Sequence, residues 1–276
     1  MARVRIQPSA DAAVAFEGVG LWMPKSRRRA GGGRRHRLRR LAGEVQRTRS
    51  WVLRQASAHV DAGEIVAVVG TRNSGRESVL RLAAGTLLPD AGRVVRNQSV
   101  IPILSLARCL DRRLTTRQNI YLIGGLLGMT PNQVSAHLDG IVDGSGVRSI
   151  LDKHLGGTAT PIRQRLAWHV AMATEGRAFA IEQVVGAATT SVQDQAWSQV
   201  QARASQGAAF LIVSDDERRL RSCCTRAWYL EEGMLEEMDV SAALTRLRQA
   251  RGRGLDDEMV DDERDEGPPS RDGDDW

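Results

Sequence analysis

Lysine is almost missing from this chain. Of the 39 basic residues among 276, only Lys25 and Lys153 are lysines. The positive charge is carried by arginine, whose planar, multidentate head differs from a point-like ammonium. Cysteine is scarce too, with only Cys109, Cys223 and Cys224. That usage fits a reducing compartment, and the adjacent pair has no further Cys/His cluster near it, so it reads as structural rather than metal-binding. No run of about 18 apolar residues exists, which excludes a simple helical membrane span. The opening MARVRIQPSA has no apolar core of a secretory leader, so the expectation is a cytoplasmic chain. Aromatic residues are absent between the arginines of Lys25–Arg40, which argues against nucleic acid as a partner.

A chain of this length with 42% hydrophobic residues holds one large α/β domain with extensions. The formal net charge is +6, but residues Asp256 to Trp276 carry eleven acidic and two basic side chains, a local −9 that leaves +15 on the rest. A basic body with an acidic tail points to an anionic partner. The organisation read from these shifts is an N-terminal extension (1–13), a domain (14–250) with a basic insertion (24–48), and an acidic tail (251–276) expected to be disordered. Within the insertion, Lys25–Arg40 has nine basic residues and no acid, interrupted by Gly31-Gly32-Gly33. It reads either as a solvated arginine insertion or as an arm touching anionic lipid.

The chain is organised around Glu64–Leu80, EIVAVVGTRNSGRESVL. A buried-strand run, Ile65 to Val69, breaks at Gly70, reaches Gly75 and enters an apolar-periodic helix near Glu77. A strand, a loop framed by two glycines five apart and a helix form the layout of a phosphate-binding loop. Successive N–H groups curl around one anion, and the helix N-terminus adds a favourable dipole. The candidate nucleotide-binding residues are therefore Gly70, Thr71, Arg72, Asn73, Ser74, Gly75, Arg76, Glu77 and Ser78. Against the pattern G-x-x-x-x-G-K-[ST], the lysine is Arg76, the magnesium-holding hydroxyl is Glu77, and Ser78 comes one place late. Neither lysine lies near enough to substitute by a register slip.

Along the chain, strands are expected at Val14–Trp22, Trp51–Val60, Ile65–Val69, Arg93–Ile103, Ala178–Ile181 and Ala209–Ser214. A hairpin is expected from Ala227–Leu230 and Met234–Glu237. Helices are expected at Leu114–Gly128 with an N-cap at Thr115 or Thr116, and at Asn132–Val142, Arg163–Thr174, Ser191–Ser205 and Ala242–Arg251. The alternation after the phosphate loop predicts a mostly parallel sheet.

The series Trp51-Val52-Leu53-Arg54, Gly63-Glu64-Ile65-Val66, Pro89-Asp90-Ala91-Gly92-Arg93-Val94, LTTRQNIYLIGGLLG over Leu114–Gly128, and Trp228–Gly233 resembles the nucleotide-binding subunits of ATP-binding-cassette (ABC) transporters. It is closest to the branch that exports O-antigen, teichoic acid and related polysaccharides. The resemblance implies an α/β P-loop core with an antiparallel β subdomain and a helical subdomain near Leu114–Ala173. It also implies a peripheral subunit on the cytoplasmic face of the membrane, clamped under a permease and paired as a homodimer or with a second ABC subunit. ATP and magnesium are the implied cofactors. Aligned to the family, Ala159-Thr160-Pro161 fall at the signature loop, where proline lacks an N–H. Glu182 stands at the magnesium-organising carboxylate, with Glu77 and Glu182 the candidate magnesium ligands. Gln183 stands at the general base and cannot accept a proton. The stretch Gly186–Thr189 lacks the usual aspartate, and Asp215 replaces the switch histidine. Glu77 is expected to pair with Arg72 or Arg76. Every position touching the terminal phosphate or its water is altered, on both halves of the family's composite site. The expected function is an exporter ATP-binding subunit with hydrolysis lost or severely impaired and nucleotide binding weak. The alternatives are a working ATPase tolerating the changes and a non-cycling scaffold of a permease complex.

Overall fold

The computed structural model describes residues 12–24, 49–185 and 189–253. The basic insertion, the acidic tail and 186–188 lie outside these. Strand β3 (Ile65–Gly70) is buried along its whole length. Its side chains alternate between two cores: Ile65, Ala67 and Val69 join one apolar cluster, Val66 and Val68 the other. Strands β6 (Ala178–Glu182) and β7 (Ala209–Val213) divide in the same way, with Phe179, Ile181, Phe210 and Ile212 on one face and Ala178, Ala180, Ala209 and Leu211 on the other. Continuous apolar runs with both faces covered are what a parallel sheet requires.

The central sheet has the order β5-β6-β7-β3-β8-β9. β5 (Val100–Ile103), β6, β7, β3 and β8 (Arg226–Glu231) pair in parallel, and β9 (Met234–Met238) closes the edge as an antiparallel hairpin with β8. A second sheet, antiparallel in the order β2-β1-β4, uses β1 (Ala12–Pro24), β2 (Arg49–Asp61) and β4 (Ala91–Arg96). Helix α1 (Arg76–Ala84) contributes Val79, Leu80, Leu82 and Ala83 to the core that this second sheet shares with the central one. On the other face lie α2 (Thr116–Leu126), α3 (Pro131–Ser145), α4 (Thr160–Met172), α5 (Thr190–Ser205) and α7 (Val240–Gly252). The short helix α6 (Glu217–Cys223), absent from the sequence reading, follows β7.

The single strand expected over Arg93–Ile103 is two. β4 belongs to the antiparallel sheet and β5 to the central one, and the chain changes sheets between Asn97 and Ser99, where no glycine or proline marks a break. Helix α4 begins at Thr160, three residues earlier than expected. The LTTRQNIYL run owes its form to local bonding. Thr115 and Gln118 make a reciprocal capping box. Fully buried Asn119 accepts from the Asp111 N–H at 2.8 Å and donates to the Asp111, Leu114 and Thr115 carbonyls. A second box, Thr130 with Gln133, starts α3. Cys224, the C-cap of α6, is partly buried against the core, and burial, with Cys223 beside it, pushes its thiol up to about 12, so it is a poor nucleophile and metal ligand. Among the described residues no helix is long and apolar enough to cross a membrane.

A charged cluster ties the two sheets together. Arg226 on β8 donates to Glu64 at 2.6 and 2.9 Å and to the His59 carbonyl at 2.6 Å, and pairs with Glu237 at 2.7 Å. Burial pushes the Glu64 carboxyl up, but the bonds from Arg226 and the Asp61 N–H outweigh it and hold the pKa below the usual range. A depressed carboxylate contributes stability above its unfolded pKa and loses it as pH falls through the folded one. Arg226→Met is therefore expected to cost about 3 kcal/mol in urea unfolding at neutral pH, by stranding two half-buried carboxylates. The difference from wild type should shrink as pH falls below the ordinary glutamate range, about 4, and Glu64 takes up a proton. A penalty that does not change with pH would show that packing, not charge, is what Arg226 supplies.

Candidate functional site

β3 ends at Gly70, and residues 71–75 lead into α1 at Arg76. Two glycines are obligatory here. A Cβ on Gly70 would lie 2.5 Å from both the Leu230 carbonyl and Ser74 Oγ. Gly75 has φ +99°, and its Cβ would lie 2.4 Å from Val52 Cγ1 on β2. Asn73 also takes a left-handed φ of 68°, which asparagine tolerates better than most residues. Ser74 N–H donates to the Thr71 carbonyl at 3.1 Å, while Ser74 Oγ is buried without a hydrogen-bond partner. Arg72 and Asn73 are exposed and Ser78 is buried at the start of the helix.

The parallel register brings the C-terminal ends of β3, β6 and β7 together, with Glu182 opposite Val213. Ligands of such sheets bind at that edge. Three of the sequence-selected residues meet there. Arg76 Nη1 lies 3.6 Å from Asp215 Oδ1, and Asp215 Oδ2 accepts a hydrogen bond from Gln183 Nε2 at 2.9 Å. Gln183 is held in turn by its N–H on the Val213 carbonyl at 2.8 Å. Its φ is +58°, and buried Val185 two residues on has φ +47°. Left-handed backbone at a β-branched residue costs on the order of 1–3 kcal/mol, so the turn after β6 is held against strain.

Glu77 is paired with Arg81, one turn further along α1, a partner that the sequence reading did not name. Glu182 accepts from Ser105 Oγ at 3.4 Å. Burial, and then the neighbouring Glu77 carboxylate, push the Glu182 carboxyl above its usual range. The pair does not make a good magnesium site. Glu77 already has a guanidinium against it, no hydroxyl stands at its position, and among the described residues no three His, Cys, Asp or Glu side chains converge. The loop keeps the glycine-framed, tightly packed turn that phosphate loops use, with both glycines too close to neighbouring atoms for a side chain.

Ala159, Thr160 and Pro161 are not an open loop. Ala159 is the N-cap of α4 and Pro161 sits in its first turn. Thr160 lines a cavity of about 380 Å³ with Ser105, Arg108, Arg163, Gln164, Trp168, Glu182 and Gln183. Its own chain thus brings the start of α4 near the end of β6, but not into the Arg76–Asp215 contact. Residues 186–188 lie outside the described residues.

Sequence reasoning missed Arg81, Ser105 and an indole stack. Arg81 was visible as the i+4 partner of Glu77. Ser105 follows from the β5–β6 register, in which Ile103 lies opposite Ile181. Trp22 on β1 stacks on Trp51 of β2 with ring centroids 3.7 Å apart. Trp22 is 38% exposed, and the Trp51 ring packs against Gly20 on β1. No one-dimensional signal joins those two tryptophans.

No family model matches the chain. Curated relatives are similar at low identity. An ABC transporter protein, AbcA, of Aeromonas salmonicida is 26% identical over 181 residues, 66% of this chain and 59% of that protein. The O-antigen export ATP-binding protein RfbB of Klebsiella pneumoniae is 26% identical over 188 residues, 68% of this chain and 76% of its own length. The teichoic acids export ATP-binding protein TagH of Listeria innocua is 22% identical over 188 residues, 68% of this chain and 56% of its own. The match thus spans little more than half of AbcA and TagH. Among solved structures, an ATP-binding subunit of an ABC transporter aligns with a TM-score of 0.66 at 14% identity, over 90% of this chain and 96% of that one. An ATP-binding cassette dimer in a post-hydrolysis state bound to ADP and Pi aligns at 0.65 and 14%, over 82% and 98%. These likenesses establish the fold as that of ABC ATPase domains.

The loop geometry carries its own test. Gly75→Ala must adopt φ near +99° and push into Val52, and should cost about 2 kcal/mol or more in denaturant unfolding. In a double-mutant cycle with Val52→Ala, the clash part of that cost should return and the backbone part remain. Full additivity of the two changes would place Gly75 away from Val52.

Proposed function

We propose that this chain, with the ABC ATPase fold and relatives that serve O-antigen and teichoic-acid export, is an ATP-binding-cassette subunit of a polysaccharide or teichoic-acid type exporter in which hydrolysis is lost. One observation carries the second half of the reading: Arg76, Asp215 and Gln183 are bonded to one another. At the three altered positions the groups that would act on a terminal phosphate and its water are occupied with each other. Gln183 in place of a carboxylate has no basic oxygen to take a proton, and loss of a general base costs about 10²–10⁴-fold in rate. Glu77 held by Arg81 and Glu182 raised by its surroundings support weak nucleotide binding that magnesium helps little.

The partners proposed are a membrane permease subunit and a second cassette, either another copy or a different ABC subunit, with the chain peripheral at the cytoplasmic face. Contact of residues 25–40 with anionic lipid rests on their arginine content alone, and nucleic acid is not proposed as a partner.

Reversion tests the loss of hydrolysis. Gln183→Glu alone should give only background phosphate release, because Arg76 and Asp215 remain engaged. Adding Arg76→Lys with Glu77→Ser should change little, since Pro161 still lacks a donor at the opposing half, and one such donor is worth about 3–4 kcal/mol where it acts on a transition state. Groups that act as a unit recover as a unit, so turnover is expected only after Pro161→Gly and Asp215→His are added. Robust turnover from the first substitution, or from the wild-type chain, would contradict the proposal.

A further inference from the structure

We propose that the Asp215 carboxylate takes the place of a nucleotide's terminal phosphate, so that the site selects nucleoside diphosphates over triphosphates. This rests on the reading of residues 70–78 as a nucleotide site. In a phosphate loop the amides hold the inner phosphates, and the basic residue at the helix start reaches toward the outer ones. That residue here is Arg76. Its guanidinium, 17% exposed, faces Asp215 Oδ1 at 3.6 Å, and Gln183 donates to the other carboxylate oxygen at 2.9 Å. Two donors from two different strand ends thus hold one anionic group at the outer edge of the loop, as they would hold phosphoryl oxygens.

The backbone beside Asp215 is braced. Ser214 Oγ accepts the Asp216 N–H at 3.1 Å, and Asp216 caps α6 by accepting the Arg219 N–H at 3.1 Å. Buried Arg219 bridges Asp216 and Asp194, each at 2.8 Å, which ties the turn to α5. Asp215 itself is 64% exposed and is held mainly by its charge partner. A diphosphate would use the loop amides and leave the Arg76–Asp215 contact standing. A triphosphate would have to displace the carboxylate and then lie against its negative charge, with Glu77 nearby.

The experiment is calorimetric titration of the full chain with ADP and with ATP, each with and without magnesium, alongside Asp215→Asn. That substitution keeps the size and the acceptor toward Gln183 while removing the charge. Because the side chain is exposed, the fold should survive, which thermal unfolding checks, and Asp215→Ala serves as the second variant. Wild type is expected to bind ADP at least about tenfold more tightly than ATP, because a terminal phosphate would take Arg76 from Asp215 and leave that carboxylate's charge uncompensated beside it. Either variant should bring the two affinities within about threefold, mainly by tighter ATP binding. Equal affinities in wild type, an unchanged ratio in both variants, or no binding of either nucleotide would each overturn the inference. The first two leave the reading of a non-hydrolysing exporter subunit intact, whereas no binding of either nucleotide would also remove the nucleotide site on which that reading rests, and phosphate release by the wild-type chain would end that reading and leave the ratio to be judged separately.

Discussion

The two-sided burial of β3 governs the rest of the molecule. A strand with no solvent-facing side needs cover on both faces, and the chain supplies it unequally. One face receives α1 and the antiparallel sheet, and the other receives five helices. Because β6 and β7 are buried in the same manner and run parallel to β3, their C-terminal ends fall at one edge of the sheet. The meeting of Gly70, Gln183 and Asp215 is thus a by-product of packing. It is set by the strands and their register, not by the side chains at their tips.

The altered positions are better described as a compensated set than as separate losses. Arg76 against Asp215, Glu77 against Arg81, and Glu182 beside Ser105 each meet a partner within the chain. Taken one at a time, Glu77 and Asp215 look like charges placed where an anion should bind. Taken together, Glu77 and Asp215 each have a guanidinium as counter-charge, although at this degree of exposure such pairs contribute little to stability.

Much of the fold was legible in sequence because its signals are local. The apolar runs of β3, β6 and β7, the Thr115 and Thr130 caps and the Glu232-Gly233 hairpin each declare themselves within a few residues. The break of the 93–103 strand did not, since Asn97 and Ser99 are weaker turn signals than glycine or proline and the change of sheet depends on the pairing of β4 with β1 and of β5 with β6. For the site, the identities were legible and the partnerships were not. Arg76, Gln183 and Asp215 come from three strand ends far apart in the chain, and only the sheet order makes them neighbours. Glu77 shows a different failing: a helical partner at i+4 was in view, but the pull of the phosphate site suggested Arg72 or Arg76 instead.

The Trp22–Trp51 pair has a consequence of an optical kind. Two indoles with centroids 3.7 Å apart and planes inclined by 23° have transition dipoles close enough to couple, so their near-ultraviolet bands do not belong to either ring alone. The pair spans β1 and β2, facing each other in the register of the antiparallel sheet. Its circular-dichroism couplet is therefore a signal native to the chain, present only while those two strands keep their register. The arrangement of those strands can be followed in solution without a label, against the steadier background of tryptophans such as Trp228 that are sealed in the core.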